Sequence, residues 1–322
     1  MSKRETIIGA VDIGYGWTKA AANGKVWRQP SVLGEPRKLF KRDIRKDDVI
    51  FEGQERYFIG NLAQRHSQVK YATTKDSKPE TWTTDILLKT ALGLTAGKSN
   101  LYLVTGLPID YYFNQKQAFK DLLDRFNEND SYSIQEGRKA KTVRPWILKS
   151  KLIPQPLGSA MNYLLDGRGK IVRTEAAKKR ILVVDIGYWT LDLLILDGME
   201  VGKDSCSPPD LGIDTAYKIL REYLKDEINK APGRTELDQY VLAGEYEGYN
   251  LTPLINKAFK ALADQISLEI ESLNTNFHKY IITGGWSKRI ASFLNIPEKQ
   301  TKVYGQLGNL EGYGKVGARV WN

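Results

Sequence analysis

Val11-Asp12-Ile13-Gly14-Tyr15 recurs further along the chain as Val184-Asp185-Ile186-Gly187-Tyr188. Each copy ends an apolar, β-branched run, Thr6–Val11 in one case and Ile181–Val184 in the other, which reads as a buried strand. A second run follows each copy and closes on a hairpin signal: Trp17–Ala22 before Asn23-Gly24, and Leu191–Leu196 before Asp197-Gly198. A lone Asp-Ile-Gly is an ordinary strand end. The same strand–turn–strand device at the head of both halves of one chain is an internal duplication.

The device has a direct chemistry. Glycine in a tight turn lets backbone N–H groups approach a phosphate. Tyr15, Thr18 and Thr190 add side-chain donors. An ionised aspartate accepts only, so Asp12 and Asp185 cannot hold a bare phosphate. They can hold a hydrated Mg²⁺, which keeps several of its waters and neutralises phosphate oxygens. Two such hairpins facing each other would grip a polyphosphate from both sides. The expectation is an α/β protein of two related domains with a nucleoside triphosphate in the cleft between them.

Size and composition agree. The 322 residues suit two domains of roughly 150 residues. With 41% hydrophobic and 27% charged residues the chain reads as globular rather than disordered. Cys206 is the single cysteine, so no intramolecular disulfide forms, and His66 and His278 are too isolated to suggest zinc. The start, Met1-Ser2-Lys3-Arg4-Glu5, leads into an apolar strand without a signal-peptide core, and no run approaches the roughly 18 apolar residues of a membrane span. A cytoplasmic protein without a membrane partner is expected. The net charge of +10 raises the question of a polyanionic partner. The basic residues are spread along the sequence, with modest clusters at Arg37–Lys46, Arg138–Lys151 and Lys178–Arg180, so direct DNA binding is not expected.

Between the two copies, residues 29–80 are polar and weakly periodic and read as a small inserted lobe. Helices are expected over Asp85–Thr95, Asn114–Phe126 and Ser159–Leu165, and later over Thr215–Asn229 and Leu254–Leu273. The polar stretch Gly167–Arg180 is the clearest internal boundary. It divides the chain into a first domain at 1–168 and a second at 169–322, the latter with an upper lobe near 210–272. Tyr280–Thr283 is a strand leading into Gly284-Gly285.

These motifs resemble the actin, heat-shock-chaperone and sugar-kinase superfamily, whose two duplicated, ribonuclease H-like domains hold nucleotide between them. Its phosphate-1 pattern matches Asp12 to Lys19, its phosphate-2 pattern Asp185 to Asp192, and its adenosine pattern Ile281 to Ser287. Connecting helices are expected near Gly158 and Gly312. Within the superfamily the chain looks most like the bacterial plasmid-segregation actins of the ParM type. Ile153-Pro154-Gln155-Pro156-Leu157-Gly158 resembles their connecting segment, in which a Gln or Glu orients the attacking water. Tyr188-Trp189 departs from the pattern, which has small residues there.

The resemblance implies roles. Gln155, Asp185 and Asp12 form the catalytic set, with Asp12 and Asp185 holding Mg²⁺ through water. Gly14, Tyr15, Gly16, Thr18 and Lys19 contact the phosphates on one side, and Gly187, Tyr188, Trp189 and Thr190 on the other. Gly284, Gly285 and Trp286 lie at the nucleoside, Trp286 either stacking near the base or packing in the core. The implied protein is a bacterial, cytoplasmic filament-forming ATPase, with GTP as the other candidate nucleotide. It polymerises head-to-tail with itself and moves plasmid DNA through a DNA-bound adaptor of the ParR type. A sugar-kinase-like phosphotransferase would need an acidic base beside an acceptor pocket. A cell-shape filament of the MreB type would carry an apolar membrane anchor. Neither feature is evident.

Overall fold

In a computed structural model of the chain, residues 4–72, 81–128, 130–233 and 236–322 are described. They form two compact units, Met1–Thr174 with Leu307–Asn322, and Glu175–Gln306. The final helix therefore belongs with the first unit, whereas the sequence division at 168/169 assigned it to the second.

The first unit is built on a five-stranded sheet in the order Trp146–Pro154, Asn100–Leu107, Thr6–Ile13, Trp17–Ala22, Lys25–Pro30. Thr6–Ile13 pairs parallel with Asn100–Leu107 and antiparallel with Trp17–Ala22. The central strands are near-continuous apolar runs because helices cover them: Trp82–Thr95, Ile109–Arg125 and Gly308–Trp321 all pack on this sheet. Asn23 and Gly24 both take positive φ, 49° and 72°, as the expected two-residue hairpin requires.

A second, antiparallel sheet of six strands completes this unit, in the order Lys139–Val143, Tyr132–Glu136, Val49–Glu52, Arg56–Ile59, Val32–Gly34, Lys70–Ala72. The small lobe is thus built from two separated segments. The sequence reading placed it within 29–80, of which 73–80 lie outside the described residues, and did not find the contribution of Tyr132–Val143.

The second unit repeats the first sheet: Glu200–Val201, Leu191–Asp197, Ile181–Ile186, Lys279–Gly284, Thr301–Val303. The order and the parallel and antiparallel pairings correspond strand for strand. Here the turn differs by one residue from expectation. Gly198 and Met199 take positive φ, 56° and 75°, and Asp197 pairs with Glu200. Thr252–Ser272 buries Ile255, Phe259, Leu262, Ile266 and Ile270, a helical stripe that packs against Ile213–Ile228. Phe259 is fully buried, and its truncation to Ala would cost about 3–5 kcal/mol.

In the first unit, the helices Gln155–Leu164 and Gly308–Trp321 meet backbone to backbone. A Cβ on Gly158 would lie 2.6 Å from the Asn309 carbonyl oxygen, and one on Gly312 only 1.7 Å from that of Gly158. Both glycines lie inside helices, where they cost roughly 1 kcal/mol each against Ala; the close contact is the reason they are there. Ser159 Oγ donates to Asn309 Oδ1 at 2.6 Å. Lys315 Nζ donates to the carbonyls of Asn162 and Leu165 at 2.7 and 2.8 Å, closing the end of the shorter helix as a cation should.

Candidate functional site: two glycine turns and a buried carboxylate

The two hairpins share their backbone geometry. Gly14 N–H donates to the Trp17 carbonyl at 3.0 Å, and Gly187 N–H to the Thr190 carbonyl at 2.8 Å. A Cβ at Gly14 would lie 2.8 Å from Trp17 O, and one at Gly187 2.9 Å from Thr190 O. The repeat visible in the sequence is therefore a repeat of one tight turn, and side chains are excluded from both for the same reason.

In the first hairpin the strand register sets Asp12 opposite Lys19. Cross-strand partners share a face, and Lys19 Nζ reaches Asp12 Oδ2 at 2.7 Å with side-chain exposures of 12% and 3%. Gln155 supplies the other contact. Trp146–Pro154 runs straight into the helix that begins at Gln155, with Pro156 in its first turn. Gln155 is buried, and its Nε2 donates to Asp12 Oδ1 at 2.9 Å. Asp12, Lys19 and Gln155, from three elements, therefore form one cluster. Removing one member of a desolvated ion pair leaves the other uncompensated, at about 3–5 kcal/mol.

Thr18 is placed differently from expectation. It is fully buried, and its hydroxyl lies 2.9 Å from Ser31 Oγ, so its side chain braces the turn rather than facing a ligand. Ser31 itself was missed in the sequence. Its Oγ donates to Gly14 O at 2.6 Å and its N–H to Gly16 O at 2.9 Å. The signal lay in Gln29-Pro30-Ser31, read as the start of a polar lobe. Tyr15 is buried, edge-on to Tyr111 at 6.3 Å.

In the second hairpin Asp185 lies opposite Asp192, so a carboxylate stands where the first copy has Lys19. Both are buried, and Ser207 Oγ donates to Asp192 Oδ1. The bulky Tyr188-Trp189 is accommodated by packing. Tyr188 lies edge-on to Tyr217 at 6.2 Å. The turn is backed by the loop at Gly212, where Ile213 N–H meets Gly187 O at 3.1 Å and Asp214 N–H meets Tyr188 O at 2.8 Å. A Cβ on Gly212 would lie 2.7 Å from Tyr188 O.

Gly284 ends its strand at φ 113°, and a Cβ there would sit 2.1 Å from Ile186 O. Only glycine fits where this strand meets the start of the second turn. Gly285 is exposed with open space around it. Trp286 is half-buried and packs on its neighbours. Its Nε1 donates to Tyr217 Oη at 3.1 Å and its ring lies 5.4 Å from that of Phe259. Tyr217 in turn donates to Asp238 Oδ1, and burial pushes its phenol far above its ordinary pKa.

Among the described residues no group of three or more His, Cys, Asp and Glu is placed to hold a metal. Asp12 is buried beside the first glycine turn, and Asp185, opposite the buried Asp192, beside the second. Either turn, taken by itself, suits a magnesium ion whose remaining ligands are water and phosphate rather than an all-protein cage.

Residues 10–158 match the family model described as "Actin like proteins N terminal domain". No curated protein matches the chain. Among solved structures, Ta0583, an archaeal actin homolog, is 21% identical with a TM-score of 0.79, covering 97% of this chain and 99% of that one. ParM in a 15-stranded filament from Clostridium botulinum is 21% identical with a TM-score of 0.76, covering 97% and 99%. Bacillus thuringiensis ParM with ATP is 14% identical with a TM-score of 0.70, covering 98% of each chain.

Proposed function

We propose that this chain, which has the actin-like fold over nearly its whole length, is a nucleoside triphosphatase that assembles into filaments and serves plasmid segregation. The observation that carries the reading is the duplicated glycine turn, one copy holding Asp12 between Lys19 and Gln155. Each turn, within its own unit, is read as a phosphate-binding turn. ATP is favoured because a similar structure, Bacillus thuringiensis ParM, contains it; GTP is the alternative to be assayed beside it.

The roles follow from the chemistry of the groups. Lys19 is a compact point charge suited to the β- and γ-phosphates, and leaves Asp12 to reach them. Gln155 is a neutral amide and takes no proton; it orients the attacking water by donating and accepting. Asp12 and Asp185 would each hold a hydrated Mg²⁺ through water, and such an ion would supply charge neutralisation at phosphate oxygens. Gly284 and Gly285 let the chain approach the nucleoside closely. Ser31 and Thr18 fix the first turn from behind, so its N–H groups are preorganised before nucleotide arrives.

Assembly is read as head-to-tail, since heterologous contacts that do not close a ring give open filaments, and the similar Clostridium botulinum ParM forms a filament. The γ-phosphate acts through contacts that differ between two conformations of the protein. A DNA-bound adaptor of the ParR type would capture filament ends. The catalytic part is tested with Asp185→Ala, which should bring phosphate release under Mg·ATP to background while the protein stays folded by circular dichroism. Undiminished release would remove the second turn from the site.

A further inference from the structure

We propose that a basic surface on the small lobe of the first unit binds the phosphate backbone of duplex DNA. In the sequence its two parts are separate and modest. The fold joins them. Strand Val49–Glu52 pairs with Tyr132–Glu136, and Gly137 N–H donates to Asp48 O at 2.7 Å. A Cβ on Gly137 would touch Lys46 O at 2.8 Å, and the Arg138 guanidinium donates to Lys41 O at 3.2 Å. Exposed Arg37, Lys38, Lys41, Arg42, Arg45 and Lys46 thereby share one surface with exposed Arg138 and Lys139.

The nearby acids offset only part of this surface: Asp43 lies 4.0 Å from Arg42, and Asp47 and Glu136 are exposed beside it, against eight exposed cations. Asp43 Oδ2 accepts the Phe40 N–H at 3.0 Å. Asp48 is buried and takes the Arg65 guanidinium at 2.6 Å and the Arg45 N–H at 2.7 Å. Leu39 packs inward on Ile50, Phe58, Leu62 and Ala63, which pins the loop while its cations face out. The charge is also unequal between units: 32 basic and 19 acidic residues in the first, giving +13, against 16 and 19 in the second, giving −3. A second copy's weakly acidic unit is a poor match for so dense a cation surface. Duplex DNA, with one charge per about 1.7 Å of axis, is a close one.

The test uses the full chain without nucleotide and a fluorescein-labelled duplex of about 30 base pairs of mixed sequence, read by anisotropy at about 50 and about 200 mM KCl. Binding at the lower salt should weaken by about 10³-fold at the higher, as for roughly six neutralised phosphates. Lys41→Glu/Arg42→Glu/Arg45→Glu/Lys46→Glu should lose at least about 100-fold. Arg138→Ser/Lys139→Ser, confined to an exposed hairpin tip, should lose about tenfold. Lys178→Glu/Lys179→Glu in the second unit should bind as the parent does, and so should Phe40→Ala. Absence of binding at low salt, or equal loss in the Lys178/Lys179 control, would overturn the proposal. So would a patch variant that keeps DNA binding but no longer assembles with nucleotide, because the surface would then meet another copy. Loss on Phe40→Ala as large as on charge reversal would point to a protein partner and contradict it as well.

Discussion

Gln155 Nε2 donates to Asp12 Oδ1 across 2.9 Å, tying the first residue of a helix to the end of the first strand. The bond keeps the amide pointed at the carboxylate before any substrate arrives, and places a neutral water-orienting group beside the proposed metal ligand. Gln155→Ala should lower the rate of hydrolysis by about 10²-fold, the effect of removing one preorganised group, while nucleotide affinity changes little. Single-turnover phosphate release and a nucleotide titration separate the two. If affinity collapses together with the rate, Gln155 is holding Asp12 in place rather than orienting water.

The contact between Gly158 and Gly312 is as tight as a helix pair allows. Gly312→Ala forces a methyl to within 1.7 Å of a carbonyl oxygen unless the helices part. It should destabilise the first unit by about 3 kcal/mol or more, at the upper end of overpacking, even though Ala is the better helix former. Thermal unfolding of Gly312→Ala beside Gly314→Ala, a helical glycine with open space around it, provides the comparison. Gly314→Ala should be neutral or stabilising.

His66 reports the field of the basic surface. Burial lowers its pKa below the ordinary 6.5, and the neighbouring charges of Arg65 and Arg37 lower it further. Arg37 donates to His66 Nδ1 at 3.2 Å, which requires the neutral ring with its proton on Nε2. The unfolded chain takes up the proton first as pH falls. The stability associated with a neutral His66 is therefore complete above the ordinary value and is lost as pH falls through the lowered one. Arg37→Gln should move the His66 titration, followed by NMR, back toward the ordinary value. An unchanged midpoint would mean that burial and Arg65 account for the whole shift.

The parts of the fold that could be read in advance are local. Val11-Asp12-Ile13-Gly14-Tyr15 and its second copy carry strand, turn and glycine within a few residues, and the two sheets they nucleate have the same strand order. What escaped the reading depends on pairing at a distance. Tyr132–Glu136 joins the small lobe only through its ladder with Val49–Glu52, and no local pattern announces such a partner. Thr18 looked like a phosphate donor because it follows the glycine turn; its hydroxyl turns to Ser31, thirteen residues on, in a stretch whose own pattern is that of a polar loop. Trp286 could stack on a base or pack, and its hydrogen bond to Tyr217 Oη and its contact with Phe259 were not visible in its local pattern. The Asp12–Lys19 pair follows from hairpin register alone, whereas the arrival of Gln155 depends on where Trp146–Pro154 joins the sheet, beside Asn100–Leu107.

The most direct test of the account is right-angle light scattering of the purified protein with Mg²⁺ and ATP, or GTP, added, recorded alongside phosphate release. The account predicts scattering that rises only with a triphosphate and decays as phosphate appears. Hydrolysis that depends on an added small-molecule acceptor, with no rise in scattering at any protein concentration, would contradict it.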